Sequence, residues 1–333
     1  AYVEGRRTLK VLDLATNTSV TLMTPDELFH MRDGDQYFTW APDSKWLLAT
    51  HRPTMANSEV VLLDATGKQK KRNLTNSGYG DDNPMWVNEG KQMLWFSNRD
   101  GLKSYATSGQ SQNDVYTLFF DEAAWDKFSM SKEDFDLMKE IEKANKKEEK
   151  DDKAKDEKEK EKKVEDLKFD WDGIEERKAK LTIHSSSLGD AVLSKDGEKL
   201  YYLAAFEKGM NLWSTNLRTK ETKQEISLDA NSASLIWDKE QKNFYLLSNG
   251  TISKINPEGM KKEAIKISGE MTYDKEAEMA YMFEHVWMRT KGIFYTPDMH
   301  GVDWDAAKVN YEKYLPSIGN SYEFSEMISE MIG

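Results

Sequence analysis

The chain has 333 residues, enough for one large or two smaller domains, and its 10 Trp, 14 Tyr and 13 Phe supply large apolar surfaces. A net charge of −12 argues against nucleic acid as a partner, because phosphate binding needs a basic surface. The absence of cysteine excludes disulfides, thiolate chemistry and Cys-type zinc sites, and no apolar run approaches the roughly 20 residues that span a bilayer.

A repeat of about 45 residues organises most of the chain. Each copy has two apolar runs joined by a polar turn, and the copies lie at 38–49, 84–95, 190–201 and 235–245. Aligning Trp40, Trp86, Leu193 and Trp237 gives spacings of 46, 107 and 44 residues. The long middle interval therefore contains one repeat and an insertion.

A third strand with a polar end and a short fourth strand follow the paired runs. Third strands are predicted at 58–67, 113–121 and 211–217, and 9–17 is the same element of an earlier repeat. Fourth strands are predicted at 71–75, 177–182, 222–226 and 262–267. Four short strands per repeat are typical of a β-propeller blade, although a β-sandwich or a stack of unrelated meanders is the plainer alternative.

The predicted fold class is therefore mainly β: propeller blades built from four-stranded antiparallel sheets, in an incomplete propeller, followed by a small three-helix module. Four complete blades are predicted at 38–75, 84–182, 189–226 and 232–267, with the tail of a fifth at 8–22. Since that leading part is only half a blade, further blades are expected upstream. The predicted domains are 1–268, the blades, and 269–333, the helical module.

The insertion at 122–168 divides into two parts. Its first part, 125–141, has apolar spacing that predicts one or two short helices docked on the blade. From Lys143 to Lys163, 18 of 21 residues are Lys, Asp or Glu, so this run is either a solvated helix or disordered. A mixed-charge arm at an assembly surface is the functional interpretation, and a solvated excursion without a binding role is the plainer one.

After residue 267 the apolar period changes from two to about 3.6. The first helix has an apolar stripe that consists of Met279, Met282, Phe283, Val286 and Trp287. Asp274 begins this helix, Gly292 is predicted to end it, and Asp303 and Ser321 cap two more helices over 304–314 and from 321 onward. The third stripe consists of Phe324, Met327, Ile328, Met331 and Ile332. We expect these faces to need a partner domain.

Two sets of residues resemble the tricorn-type serine peptidases. Trp40 to Leu48 matches the propeller repeat of tricorn and TolB proteins, an aromatic followed by Ala-Pro-Asp-Ser-Lys and an apolar strand, while the other copies lack the proline. Residues 270–287, 294–305 and 322–333 are similar to the helices that open the tricorn protease domain. The resemblance implies a catalytic histidine soon after this module, then a PDZ domain and a core that carries the serine. All of these fall beyond Gly333, so the chain alone is predicted to be inactive.

The histidines are the candidate bases, and they are His30, His51, His184, His285 and His300. His300 is predicted to be a turn residue and His285 a packing residue. His184, beside three serines and ahead of Asp190, imitates the composition of a catalytic triad but lacks a G-x-S-x-G elbow. His30 and His51 have no metal-ligand spacing. The sequence therefore predicts no catalytic, cofactor-binding or metal residue within the chain.

The preferred function is the non-catalytic part of a tricorn-like serine peptidase that degrades peptides or proteins, with the propeller filtering substrate access. The expected partners are a peptide or unfolded protein and the PDZ domain and catalytic core of the same polypeptide, and a homo-oligomer is left open. Nucleic acid and a membrane span are not expected.

The alternative is a stand-alone TolB-like propeller that binds a protein or peptide without catalysis. A prolyl-oligopeptidase-type enzyme fits the helical sequence less well. The periplasm is the expected location, with the cytoplasm as alternative.

Overall fold

Antiparallel strands dominate the structure, a computed structural model that describes residues 1–5, 7–28, 37–54, 57–104, 111–152, 165–206 and 208–333, with backbone alone over 145–152. The chain forms two compact units. The first ends at Lys266, and the second includes Ile267 to Gly333.

The described residues of the first unit contain five sheets, and hydrogen-bonded neighbours follow chain order in each. Sheet 1 has three strands, β1 Tyr2–Glu4, β2 Thr8–Asp13 and β3 Thr18–Met23. Sheet 2 consists of β4 Phe38–Trp40, β5 Trp46–His51, β6 Glu59–Asp64 and β7 Arg72–Asn73. Sheet 3 consists of β8 Asp81–Val87, β9 Gln92–Ser97, β10 Asp114–Phe119 and β11 Lys178–Lys180. Sheet 4 consists of β12 Ser187–Leu193, β13 Lys199–Ala205, β14 Met210–Asn216 and β15 Thr222–Ala230. Sheet 5 consists of β16 Ala233–Trp237, β17 Phe244–Ser248, β18 Thr251–Asn256 and β19 Lys261–Ala264.

The prediction of propeller blades is confirmed, because sheets 2 to 5 each have four antiparallel strands in meander order. The predicted half blade at 8–22 has one strand more than expected, since Tyr2–Glu4 pairs with Thr8–Lys10. Bulges interrupt the register between Asp82 and Met85 and between Leu188 and Ala191, on the first strands of sheets 3 and 4. Such bulges increase the local twist that blades need.

Consecutive sheets pack face to face through alternate side chains of their strands. On β5, Leu47 and Ala49 pack against sheet 1, whereas Leu48 between them packs against sheet 3. On β13, Tyr202 packs against sheet 3, and its neighbour Tyr201 packs against sheet 5. Because side chains alternate across a strand, each sheet contributes to the two seams that flank it. The period-two pattern of the sequence thus gives a series of seams rather than one core.

Two residues at the first strands of sheets 2 and 4 lie within electrostatic range of each other. Tyr37 directly precedes β4 in sheet 2, and Asp190 belongs to β12 in sheet 4. Burial raises the pKa of the Tyr37 phenol, and the charge of Asp190 raises it further. These residues therefore lie close enough to interact although sheet 3 separates their sheets in the chain.

Tryptophans at equivalent repeat positions hold adjacent first strands together. The indole nitrogen of Trp237 donates to the carbonyl of Leu193 at 2.8 Å, and that of Trp86 donates to Thr39 at 3.4 Å. Both bonds cross from one sheet to the preceding one. The positions aligned from sequence therefore have a structural role at the seams.

Replacing Trp237 by phenylalanine keeps an aromatic ring but removes the indole donor. We expect the free energy of unfolding to fall by about 1 kcal/mol, the net value of a typical hydrogen bond. Trp86→Phe is the matched variant, and we expect it to cost less because its bond is longer. Urea unfolding followed by circular dichroism measures both, and an equal or larger loss for Trp86→Phe would contradict the assignment.

The insertion leaves sheet 3 after β10 and begins with two helices, as predicted. Helix α1 is Glu122–Ser129, and the side chain of Asp121 caps it by accepting from the Ala124 amide at 2.7 Å. Helix α2 is Lys132–Asp152, so the charged run from Lys143 is helical as far as Asp152. The remainder of that run, 153–163, lies outside the described residues.

Three helices form the second unit: α3 Lys275–Ile293, α4 Trp304–Glu312 and α5 Ser321–Ile332. Asp274 and Asp303 cap α3 and α4 as predicted, by accepting from Ala277 and Ala306. Two predicted boundaries were wrong. Helix α3 continues through Gly292 to Ile293, because the Phe294 amide donates to Thr290 and carries the chain past the glycine. The cap of α5 is Asn320, not Ser321, since its longer side chain accepts from two amides at 3.0 Å each.

The helical unit has its own core, contrary to the expectation that its faces need a partner domain. Its buried residues are Met279, Phe283, Met299, Trp304, Phe324, Met327 and Met331. The indoles of Trp287 and Trp304 each donate to the other residue's carbonyl at 3.0 Å and so join α3 to α4. Two residues of the predicted stripes, Met282 and Ile332, remain 36% and 53% exposed. Mutual packing of short helices therefore buries most of the stripes, though not all.

Candidate functional site

The residues that imitate a catalytic triad do not form one. The Ser185 hydroxyl donates to Asp114 at 2.6 Å, and His184 is exposed in the loop between β11 and β12. Asp190 accepts a hydrogen bond from the Leu235 amide at 2.8 Å, and this bond joins sheet 4 to sheet 5. A serine needs a base within hydrogen-bond reach to act as nucleophile. This loop offers no such pair among the described residues.

The two histidines of the helical unit have structural surroundings. His300 lies in a turn with a φ of 55°, its amide donates to the Asp298 side chain at 3.3 Å, and its ring contacts the Tyr295 hydroxyl. The His285 ring stacks beside Tyr281 with centroids 6.1 Å apart. His30 lies outside the described residues.

His51 lies at the end of β5 among acidic side chains. Its Nε2 is 3.9 Å from a carboxylate oxygen of Glu27, which also forms an ion pair with Lys71. Burial lowers the pKa of the His51 imidazole, and the charge of Glu59 opposes this in part. The neutral imidazole is therefore the form that the fold favours.

This shift predicts a pH dependence of stability. Because the folded-state pKa lies below the unfolded value of about 6.5, the unfolded chain binds more protons in this range. The contribution of neutral His51 is present above that value and is lost as the pH falls through the folded-state pKa. We expect His51→Gln to lose less stability than the wild type between about pH 7 and pH 5. Urea midpoints across that range measure the difference, and parallel pH profiles would contradict it.

One end of the sheets, which we term the loop rim, consists of the loops that follow second and fourth strands. At this rim, in sheets 2, 3 and 4, a polar residue near the start of the third strand binds the end of the fourth strand or the loop that follows it. Glu59 accepts from the Gly78 amide at 2.8 Å, Asp114 from the Thr182 hydroxyl at 2.6 Å, and Asn211 from the Leu228 amide at 2.7 Å. Repeated side-chain anchors of this kind fix loops that would otherwise move.

The loop rim carries a group of cationic and aromatic side chains at the seam between sheets 2 and 3. We term it the loop-rim cluster, and it consists of Tyr79, Arg99, Asp100, Tyr116 and Lys180. The Arg99 guanidinium lies 5.9 Å from the ring centre of Tyr79 and 5.3 Å from that of Tyr116. Its Nε is buried and has no hydrogen-bond partner among the described residues.

Proton positions in the loop-rim cluster follow from its contacts. The Tyr116 hydroxyl donates to Asp100 at 2.6 Å, and Lys180 lies 3.3 Å from the same carboxylate. Burial raises the pKa of Tyr116 strongly, and its bond to Asp100 raises it further. The bond from Tyr116 is also the main cause that lowers the pKa of Asp100. Tyr116 therefore stays a donor and Asp100 a carboxylate at neutral pH, which suits recognition of polar groups better than proton transfer.

Sequence reasoning missed the loop-rim cluster, because its members come from four separate segments of the chain. The signal in the sequence is weak: Arg99 and Asp100 precede Gly101 in an ordinary turn composition. The pairing of β9 with β10 brings Arg99 beside Tyr116, and Tyr79 comes from the loop after β7.

The described residues contain no group of three or more His, Asp or Glu that could hold a metal ion. A pocket of about 190 Å³ lies between sheets 1 and 2, lined by Leu22, Leu63, Gly67 and Lys70 among others. This is smaller than the roughly 300 Å³ at which small-molecule sites begin. Within the described part of the chain, no helix has the length and apolar character needed to cross a membrane.

Two sequence comparisons both find similarity to tricorn-type proteases. Residues 275–333 match the tricorn protease C1 domain. A protein described as a tricorn-like protease C-terminal subunit, from Sulfurisphaera tokodaii, is 32% identical over 90 residues, which are 26% of this chain and 10% of that protein.

The solved structure of a tricorn protease has a similar fold. The crystal structure of the tricorn protease aligns with 98% of this chain and 31% of its own, at a TM-score of 0.61 and 11% identity. TolB from Acinetobacter baumannii aligns with 79% of this chain and 49% of its own, at a TM-score of 0.43 and 16% identity. The chain thus spans about a tenth of the curated relative and a third of the tricorn structure. The chain is thus similar to a fragment of a tricorn-like protease, with a propeller portion followed by a match to the C1 domain.

Proposed function

We propose that this chain is the non-catalytic part of a tricorn-like serine peptidase and that its propeller filters the access of peptides or unfolded segments to the active site. The observation that carries the proposal is the order of modules. Sheet 5 ends at Ala264, and α3, the start of the C1 match, begins at Lys275. The propeller portion therefore directly precedes the C1 match in the chain, which is the module order that the proposed filter requires.

The filter works by size and shape, with no covalent step in the propeller. In this proposal an extended chain enters the central channel of the propeller, and a folded domain is too large to do so. The loop-rim cluster adds groups that suit a peptide: the Arg99 guanidinium donates to carbonyl or carboxylate oxygens, and aromatic rings contact side chains. The net charge of −12 is compatible with uncharged or basic segments as substrates.

The chemistry itself is proposed to reside outside residues 1–333. Acyl transfer needs a nucleophilic serine, a histidine base and oxyanion donors in one site. From the resemblance to tricorn-type peptidases, we expect these roles beyond Gly333. We also propose a periplasmic location, which fractionation of cells would test.

A comparison of substrates tests the filter. The polypeptide of the complete reading frame should hydrolyse a short peptide and the same sequence inside an unfolded protein. It should spare that sequence inside a stably folded domain. Thermolysin, applied to the same three substrates, is the control, because it shows how readily each substrate is cut by a protease without such a filter. Equal cleavage of the folded and unfolded substrates by the polypeptide would contradict a filtering role.

A further inference from the structure

The insertion between β10 and β11 contacts three sheets at the end opposite the loop rim. We term this end the turn rim, because it holds the turns between first and second and between third and fourth strands. Two arms of the insertion are described there: the front arm, 122–152, and the return arm, 165–172. Each arm crosses a different seam.

The front arm crosses from sheet 3 to sheet 4. Arg218, in the turn between β14 and β15, lies with its guanidinium 3.8 Å from the ring centre of Phe135. The same side chain donates to the carbonyls of Phe128 at 3.4 Å and Met130 at 2.5 Å. Lys139 of α2 forms an ion pair with Glu198, in the turn between β12 and β13. Phe135 is only 3% exposed, so this contact is a built interface and not a chance approach of surface chains.

The return arm crosses from sheet 3 to sheet 2. The Phe169 ring lies 5.1 Å from Trp46 of sheet 2 and 5.1 Å from Phe120, which follows β10. The Arg72 guanidinium lies 3.8 Å from the ring centre of Trp171. The Leu167 amide donates to Asp43, in the turn between β4 and β5, at 3.0 Å.

The return arm is an extended segment with two distinct sides. Leu167, Phe169 and Trp171 are partly buried, whereas Lys168 and Asp170 between them are exposed. This is the period-two alternation of a strand, although none of the described strands pairs with it. Its amide at Asp170 donates to the Phe120 carbonyl at 2.9 Å, which fixes it along the seam.

We propose that the insertion is a double brace, in which the return arm locks sheet 2 to sheet 3 and the front arm independently locks sheet 3 to sheet 4. Propeller sheets contact one another through side chains and not through shared ladders of hydrogen bonds. Anchors that span a seam therefore oppose its opening directly. The charged run links the arms, but neither arm needs the other to hold its seam. This role is separate from the proposed peptidase function.

Hydrogen exchange of the full chain tests the brace with two variants. Phe169→Ala should speed amide exchange in β5 and β6 by about tenfold or more and leave β13 near its wild-type rate. Phe135→Ala should do the converse, with faster exchange in β13 and little change in β5. Leu137→Ala is the matched control on α2, because that side chain is 57% exposed and should change neither seam.

A third sample separates two independent arms from one continuous strap. A protease site introduced within 153–163 allows the charged run to be cut in the folded protein. Independent arms predict wild-type exchange at both seams after cutting, whereas loosening of both seams would overturn the proposal. Equal acceleration of both seams by each alanine variant, or no acceleration by either, would overturn it as well.

Discussion

Replacing Trp95 by alanine is expected to lower the free energy of unfolding of the propeller unit by about 4 kcal/mol, the range of large-to-small changes of buried aromatic residues. Trp95 is fully buried on β9, and its ring lies 5.5 Å from that of Tyr116. Its indole also donates to Asp81, a fully buried carboxylate, at 3.1 Å. The change therefore creates a cavity in the seam between sheets 2 and 3 and removes a donor from a buried charge.

Circular dichroism in urea measures this loss without depending on tryptophan emission. Trp95→Phe separates the two causes, because it keeps most of the ring and loses only the indole donor. We expect it to cost less than half of the alanine loss. Trp40→Ala is the control for tryptophan removal, since Trp40 is 36% exposed and should cost little. Equal losses for Trp95→Ala and Trp40→Ala would contradict the packing of this seam.

Replacing Phe283 by alanine is expected to unfold the helical unit while the propeller unit stays folded. Phe283 is 1% exposed and packs in the core of the second unit. A loss of about 3–5 kcal/mol from such a site approaches the whole stability that a core of this size supplies. Since the two units have separate cores, the loss should not spread to the sheets.

The expected signature is a loss of helical circular dichroism with retention of the urea transition of the sheets. Tyr281→Ala, on the same helix, is the matched control because Tyr281 is 66% exposed. If Phe283→Ala lowered the midpoint of the sheets by the same amount as that of the helices, the separation into two units would be wrong.

The propeller could be predicted from sequence because its signals are local. The turn at Pro42 to Ser44 and the alternation along 46–51 each report on neighbouring residues, and the repeat places the same pattern in four blades. The tryptophan alignment even identified residues that bond across seams, Trp86 and Trp237. Periodicity could not reveal those bonds, because their partners lie about 45 residues away.

The brace and the loop-rim cluster could not be predicted from the sequence, because both depend on contacts between residues far apart in the chain. Phe169 and Trp171 directly follow the predicted insertion, yet they pack against Trp46 and Arg72, which lie 123 and 99 residues earlier in the chain, respectively. Helix ends were missed for a smaller reason. Glycine is common at the C-terminal end of a helix and serine at the N-terminal end, so Gly292 and Ser321 were reasonable predictions. The observed ends are set instead by the hydrogen bond that the Phe294 amide donates and by those that the Asn320 side chain accepts.

Peptide hydrolysis by the polypeptide of the complete reading frame tests the central claim most directly. The account predicts hydrolysis of unstructured peptides, covalent labelling by a serine-directed fluorophosphonate at a residue beyond Gly333, and neither property in residues 1–333 alone. Hydrolysis by residues 1–333, or a complete reading frame whose product neither hydrolyses peptides nor reacts with the probe, would contradict it.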